Sequence, residues 1–117
     1  MSRVLLVEDD DLVARAFARM LRGHEVHRVS SRVAARAAIA REMWDVIVFD
    51  LSMAGPPAEL IGRLPVHAAQ AVLWVTGAQL GDDRVVAAKA TGRPVAQKPI
   101  APAALRAFVE AVAARRL

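Results

Sequence analysis

Residues 4–11 read Val4-Leu5-Leu6-Val7-Glu8-Asp9-Asp10-Asp11, four apolar residues running straight into four acids. An apolar run this short, with no polar alternation, is what a strand covered on both faces requires. The acids then mark the place where that strand leaves the core. Immediately beyond, Val13, Ala16, Phe17 and Met20 recur at i, i+3, i+4 and i+7, the stripe of an amphipathic helix, and Gly23 supplies a stop signal. A buried strand followed at once by a helix is one unit of a parallel α/β sheet.

The same unit recurs along the chain. Glu25 to Val29 is a weaker, alternating strand, and Ser30 or Ser31 caps an alanine-rich helix reaching about Met43. Val46-Ile47-Val48-Phe49 is a third strand, apolar throughout. Gly55-Pro56-Pro57 forces a loop, and a proline at a helix start predicts a short helix from about Pro57 to Leu64. Ala71 to Val75 is the fourth strand, and Asp82 or Asp83 starts a helix that ends near Gly92. Pro94 to Gln97 is a short fifth strand whose proline suits an edge. Leu105, Phe108, Val109 and Val112 repeat the helical spacing, with Pro102 at that helix's start. Five strands alternating with five helices predict a doubly wound five-stranded parallel sheet, flavodoxin-like, with strand order 2-1-3-4-5. One domain over residues 1–117 is expected, without repeat or linker.

Composition narrows the function. With 117 residues, 56% hydrophobic and 24% charged, the chain has the core material of one domain and is not a disordered tail. No apolar run approaches the ~18 residues of a membrane span, and Met1-Ser2-Arg3 leads into too short an apolar stretch for a secretory signal. A soluble, cytoplasmic protein is expected. The absence of cysteine removes disulfides, thiolate zinc sites and thiol catalysis. The net charge of +4 comes almost wholly from arginine, spread along the chain and not gathered into a basic run with aromatics, so direct nucleic-acid binding is not expected.

In an open parallel sheet, ligands bind at the carboxyl ends of the strands, beside the point where strand order reverses. Strand one ends in Glu8-Asp9-Asp10, strand three in Asp50, strand four in Thr76 and strand five at Lys98. Carboxylates crowded on one rim repel each other unless a cation joins them. Hard oxygen donors with open positions suit Mg²⁺. A lysine and a hydroxyl beside such a cation are suited to stabilising a transferring phosphoryl group, and a carboxylate can act as its nucleophile. No GxxxxGK[ST] loop is present to hold a nucleotide. Taken singly, each residue has a plain structural reading: Asp10 or Asp11 as a helix cap, Asp50 and Thr76-Gly77 as turns, Lys98-Pro99 as the start of a loop. Four of them at four strand ends carry more weight than any one.

These residues stand in motifs that resemble the receiver domain of two-component response regulators over essentially the whole chain. VLLVEDDD (Val4 to Asp11) is similar to the first-strand acidic motif, and VIVFDLSMAG (Val46 to Gly55) to the phosphoacceptor strand and its loop. VLWVTGA (Val72 to Ala78) is similar to the hydroxyl-bearing strand, and QKPI (Gln97 to Ile100) to the Lys-Pro motif. The resemblance implies that Asp50 accepts a phosphoryl group from a phosphohistidine on a histidine kinase or histidine phosphotransfer protein. It implies that Asp9, Asp50 and the backbone carbonyl of Ser52 ligate Mg²⁺, with Glu8 assisting. Thr76 would turn toward the phosphoryl group, Lys98 would pair with one of its oxygens, and the Lys98–Pro99 bond would be cis. Such a protein is a phosphoacceptor and not a turnover enzyme.

The chain departs from the family pattern in three places. Val95 stands where receivers carry an aromatic, the loop after Asp50 reads Ser52-Met53-Ala54-Gly55, and the span from Asp50 to Thr76 is short. With no DNA-binding or kinase segment following helix five, output through a downstream target protein is expected. The alternatives are a relay or sink receiver cut from a larger hybrid kinase, and a pseudo-receiver that keeps the site as structure only. An Asp-nucleophile hydrolase would need its nucleophile on the first strand in a DxD arrangement, which Glu8-Asp9-Asp10 does not provide. Arg15, Arg19 and Arg22 lie at i, i+4 and i+7 on the polar side of helix one and read equally well as a docking face or a solvated one. Without the three site acids and Lys98, fifteen cations face nine acids, net +6. An acidic pocket inside a basic shell favours an acidic protein partner.

Overall fold

The computed structural model describes residues 1–115, so the last two residues of the expected domain lie outside the described residues. Strands β1 (Arg3–Val7), β2 (Glu25–Val29), β3 (Val46–Asp50), β4 (Val72–Thr76) and β5 (Val95–Gln97) form one sheet. All neighbours are parallel, in the order β2-β1-β3-β4-β5 expected from the sequence. β5 is an edge strand, and Pro94 stands just before it, where its carbonyl accepts from the Trp74 N–H and its missing donor is not needed.

Strand period two sorts the apolar residues into two cores. Leu5, Val7, Ile47, Phe49, Val72 and Trp74 face one side, beneath Ala35, Ile39, Val85 and Ala88 from the helices. Val4, Leu6, Val46, Val48, Leu73 and Val75 face the other, beneath Ala14, Phe17, Leu105, Val109 and Val112. Both faces of β1, β3 and β4 are therefore dry, which is why their sequences show no alternation.

The helices are α1 (Asp11–Met20), α2 (Arg32–Arg41), α3 (Pro57–Arg63), α4 (Val66–Gln70), α5 (Asp83–Lys89) and α6 (Pro102–Ala114). Asp10, Ser31 and Asp82 are the N-caps of α1, α2 and α5, each accepting from backbone N–H groups of the first turn. The expectation of a single short helix between the third and fourth strands needs correction, because α3 and α4 are separate. Pro65 has no N–H to donate and pushes Leu64 into extended backbone (φ −85°, ψ 149°), ending α3 and starting α4. Arg22 also falls beyond α1, in the turn after its Leu21 cap, so only Arg15 and Arg19 share the exposed helix face.

Candidate functional site

Because all five strands are parallel, their carboxyl ends form a single rim, and the residues singled out from the sequence lie along it. β1 delivers Glu8 and Asp9, β3 ends on Asp50, β4 ends on Thr76, and Lys98 follows β5. Glu8, Asp50 and Thr76 are buried and Asp9 is exposed. The Lys98 backbone N–H donates to the Thr76 carbonyl at 2.7 Å, which fixes the start of the Lys-Pro loop against β4. The Lys98–Pro99 peptide is cis, as expected.

Lys98 is the hub. Its Nζ donates to Glu8 Oε1 at 2.8 Å and to Asp50 Oδ2 at 3.0 Å, so one ammonium bridges two buried carboxylates. The remaining Asp50 oxygen, Oδ1, accepts from both the backbone N–H and the hydroxyl of Ser52, each at 2.9 Å. Ser52 lies in a 3₁₀ turn (Leu51–Met53) that Asp50 itself caps. The Asx geometry at the end of β3 therefore orients the carboxylate before any ligand arrives. The Thr76 hydroxyl accepts from the Ala78 N–H at 3.0 Å, which leaves its own proton available to a new acceptor.

The two buried acids titrate in opposite directions. Burial pushes Glu8 up, and this outweighs the hydrogen bonds from Lys98 and the Asp10 N–H, leaving it above the ordinary glutamate range. Burial also pushes Asp50 upward, but Lys98 and the Ser52 donors outweigh it, so Asp50 sits below the ordinary aspartate range. Lys98 loses basicity to burial and regains more from the two carboxylates, ending above its ordinary value. The arrangement keeps Asp50 ionised and concentrates the cost of the crowded charges on Glu8.

One carboxylate oxygen each from Glu8, Asp9 and Asp50 lies within 4.8 Å of the others. Three hard oxygen donors against one ammonium leave a local charge of −2, which one divalent cation would balance. The donor set therefore fits Mg²⁺. Asp10 does not join it, because its Oδ1 accepts from the N–H groups of Leu12 and Val13 and is committed to capping α1.

The sequence reading missed Arg28. Its Nε donates to the Glu8 carbonyl at 2.8 Å and its Nη1 pairs with Asp11 at 2.8 Å, clamping both sides of the acidic loop. The Glu8 N–H in turn donates to the Val29 carbonyl. The only signal was that β2 alternates and pairs with β1 in register, Leu6 opposite Arg28. A residue near the end of β2 is thereby brought beside the end of β1.

The family model for the response regulator receiver domain matches residues 4–110, and the chain belongs to this family. The sheet order is that of the CheY-like receivers, proteins built around an acidic phosphoacceptor site in two-component signalling. A Chloroflexus aurantiacus J-10-fl protein, provisionally assigned as a response regulator, is 28% identical with a TM-score of 0.82. The match covers 97% of this chain and 98% of that one. The chemotaxis response regulator CheY4 of Vibrio cholerae is 24% identical with a TM-score of 0.79, over 96% and 98% of the two chains. The receiver domain of the sensor histidine kinase PA1611 from Pseudomonas aeruginosa PAO1, described with a magnesium ion coordinated in its active-site cleft, is 22% identical. Its TM-score is 0.76, over 97% of this chain and 98% of that one. No curated protein matches the chain. Among the described residues, no helix is long and apolar enough to cross a membrane.

Proposed function

We propose that this chain, as one receiver domain over residues 1–117, takes a phosphoryl group onto Asp50 from a phosphohistidine of a histidine kinase or histidine phosphotransfer protein. It then signals in the cytoplasm through contacts with a downstream target protein. The observation that carries the reading is the Lys98 bridge between Glu8 and Asp50 with the Asp9 carboxylate alongside, an acid-rich pocket with a single built-in cation.

The chemistry follows from the chain's own groups. Asp50, kept ionised, presents a carboxylate oxygen to phosphorus; the P–O bond forms as the P–N bond breaks, and the imidazole leaves. Asp9, Asp50 and the Ser52 carbonyl, with Glu8 assisting, would hold Mg²⁺, which when bound neutralises charge on the phosphoryl oxygens. Lys98, already at Asp50, pairs with an oxygen of the acquired group. The Thr76 hydroxyl turns from accepting the Ala78 N–H to donating to the same group. One carboxylate per chain is consumed and later regenerated by hydrolysis, so the protein is a phosphoacceptor and not a turnover enzyme. Where the family carries its switching aromatic, half-buried Val95 pairs with Trp74 in the sheet, and Trp74 meets Phe49 edge to face. Val95 has no ring to swing, so the output route of this chain would differ from one that uses an aromatic there.

Incubation with acetyl phosphate and Mg²⁺ should add the mass of one phosphoryl group, stable to acid and lost in base. Asp50→Asn or chelation of the metal should abolish it. An unmodified wild-type protein, or modification that survives Asp50→Asn, would overturn the assignment.

A further inference from the structure

On the side of the sheet away from α1 and α6, a cleft of about 210 Å³ opens between α2 and α3. Its floor includes Ile39, Phe49, Leu60 and Leu64, and Arg32 and Arg36 stand at its edge. Leu64 and Pro65, at the break between α3 and α4, close one end of it. Arg63, also at the edge, is paired with Glu59 at 3.4 Å. Arg32 and Arg36 make no ion pair or hydrogen bond among the described residues, and both are exposed.

The placement of these two arginines is unfavourable for α2 on its own. Spaced i, i+4, they repel each other on one helix face. Arg32 is the first residue of α2, and no acid stands in its first turn, so a cation sits where the helix dipole favours an anion. The neighbouring loop nevertheless accommodates Arg32. Gly55 has φ +66°, which favours glycine, and its open face lets the Arg32 Nη2 lie 2.7 Å from where a Cβ would stand. An apolar concavity with two uncompensated guanidinium groups on one edge is complementary to a ligand with an apolar body and one anionic end.

We propose that the α2–α3 cleft is a binding site for a small amphipathic carboxylate, an aromatic or short aliphatic acid. Its hydrocarbon part lies on Ile39, Phe49 and Leu60 and its carboxylate on Arg32 and Arg36. The small volume selects a single acid of this size over a peptide helix. The site is separate from the phosphoacceptor pocket and stands whether or not Asp50 is phosphorylated. The two are joined by the short loop that runs from Asp50 past Gly55 into α3.

The test is a ¹H–¹⁵N NMR titration of the full chain with 2-naphthoate and, in parallel, with neutral 2-naphthamide. Naphthoate is expected to shift the amides of Ala35, Ile39, Leu60 and Leu64. Naphthamide and the Arg32→Gln/Arg36→Gln double variant should each weaken binding about tenfold, the loss of a charge-assisted contact. Both arginines are exposed, so the variant retains the fold, checked by its own spectrum. Equal binding of acid and amide would overturn the proposal, as would shifts confined to other faces or no shifts at millimolar ligand. So would cleft shifts that follow protein concentration without ligand, since a second copy of the chain would then cover the face.

Discussion

The two rims of the sheet carry the same small device, a cation bracketed by two carboxylates, and use it differently. At the amino-end rim, Arg3 pairs with Glu25 at 2.6 Å and Glu42 at 2.9 Å, stacks over Trp44 at 4.6 Å and donates to the Met43 carbonyl. At the carboxyl-end rim, Lys98 meets Glu8 at 2.8 Å and Asp50 at 3.0 Å. The distances hardly differ, but burial does. The side chains of Glu25 and Glu42 are 45% and 50% exposed, those of Glu8 and Asp50 only 1% and 7%. Water screens the first set, and every charge in it has a partner. The second set is desolvated, and a third carboxylate, Asp9, leaves it one cation short. Burial, more than the ion pair itself, separates a surface brace from a pocket with unfinished chemistry.

Removing each cation should expose that contrast most strongly at Lys98. Lys98→Met leaves Glu8 and Asp50 without a counter-ion and should destabilise the metal-free protein by about 3 kcal/mol in urea unfolding. Saturating Mg²⁺ should recover part of the loss. The same variant should slow phosphoryl uptake from acetyl phosphate about a hundredfold.

The next effect is a pH dependence. Glu8 is held above the ordinary value of 4.5, so the folded state keeps its proton at a pH where the unfolded chain has released it. Its contribution is fully present below 4.5 and is lost as pH rises through the folded value. Glu8→Gln should therefore gain stability over wild type on going from acid to neutral pH without metal, and a gap that stays flat in denaturation from pH 4 to 8 would contradict it.

Arg28 is the intermediate case, an arginine that holds the acidic loop from outside, through the carbonyl of buried Glu8 and the carboxylate of exposed Asp11. Its charge is already met by Asp11, so the loss of loop order should dominate over relief of repulsion toward a metal. Arg28→Met should weaken Mg²⁺ binding about tenfold by calorimetric titration. Arg3→Met should give the smallest change, a slight fall in the urea midpoint that disappears at high salt, since its partners stay hydrated.

The legibility of these features in the sequence follows how local their causes are. β1, β3 and β4 were readable within one residue because burial on both faces imposes an unbroken apolar run. The caps at Asp10, Ser31 and Asp82 were readable to one of two adjacent residues, because a side chain two or three residues away satisfies the orphan N–H groups of the first turn. The rim residues were readable because parallel strands bring their carboxyl ends together. The five-residue α4 was not, because it is too short for an i, i+3, i+4, i+7 stripe to repeat, although Pro65 marked its start. Arg28 was not, because its role depends on the pairing of β2 with β1. Nor did the sequence show that Glu8 and Asp50 shift in opposite directions, since that difference arises from burial and the donors around each.

The bridge from Lys98 also orders events in time. Glu8 and Lys98 are 90 residues apart in sequence, and Asp50 and Lys98 are 48 apart. During synthesis the acids leave the ribosome first, and their counter-charge arrives only when β5 has been made and laid against β4. No nascent chain ending before residue 98 holds the ammonium that bridges Glu8 and Asp50, so in a truncated translation product the crowded acids of this rim stay without the cation that joins them.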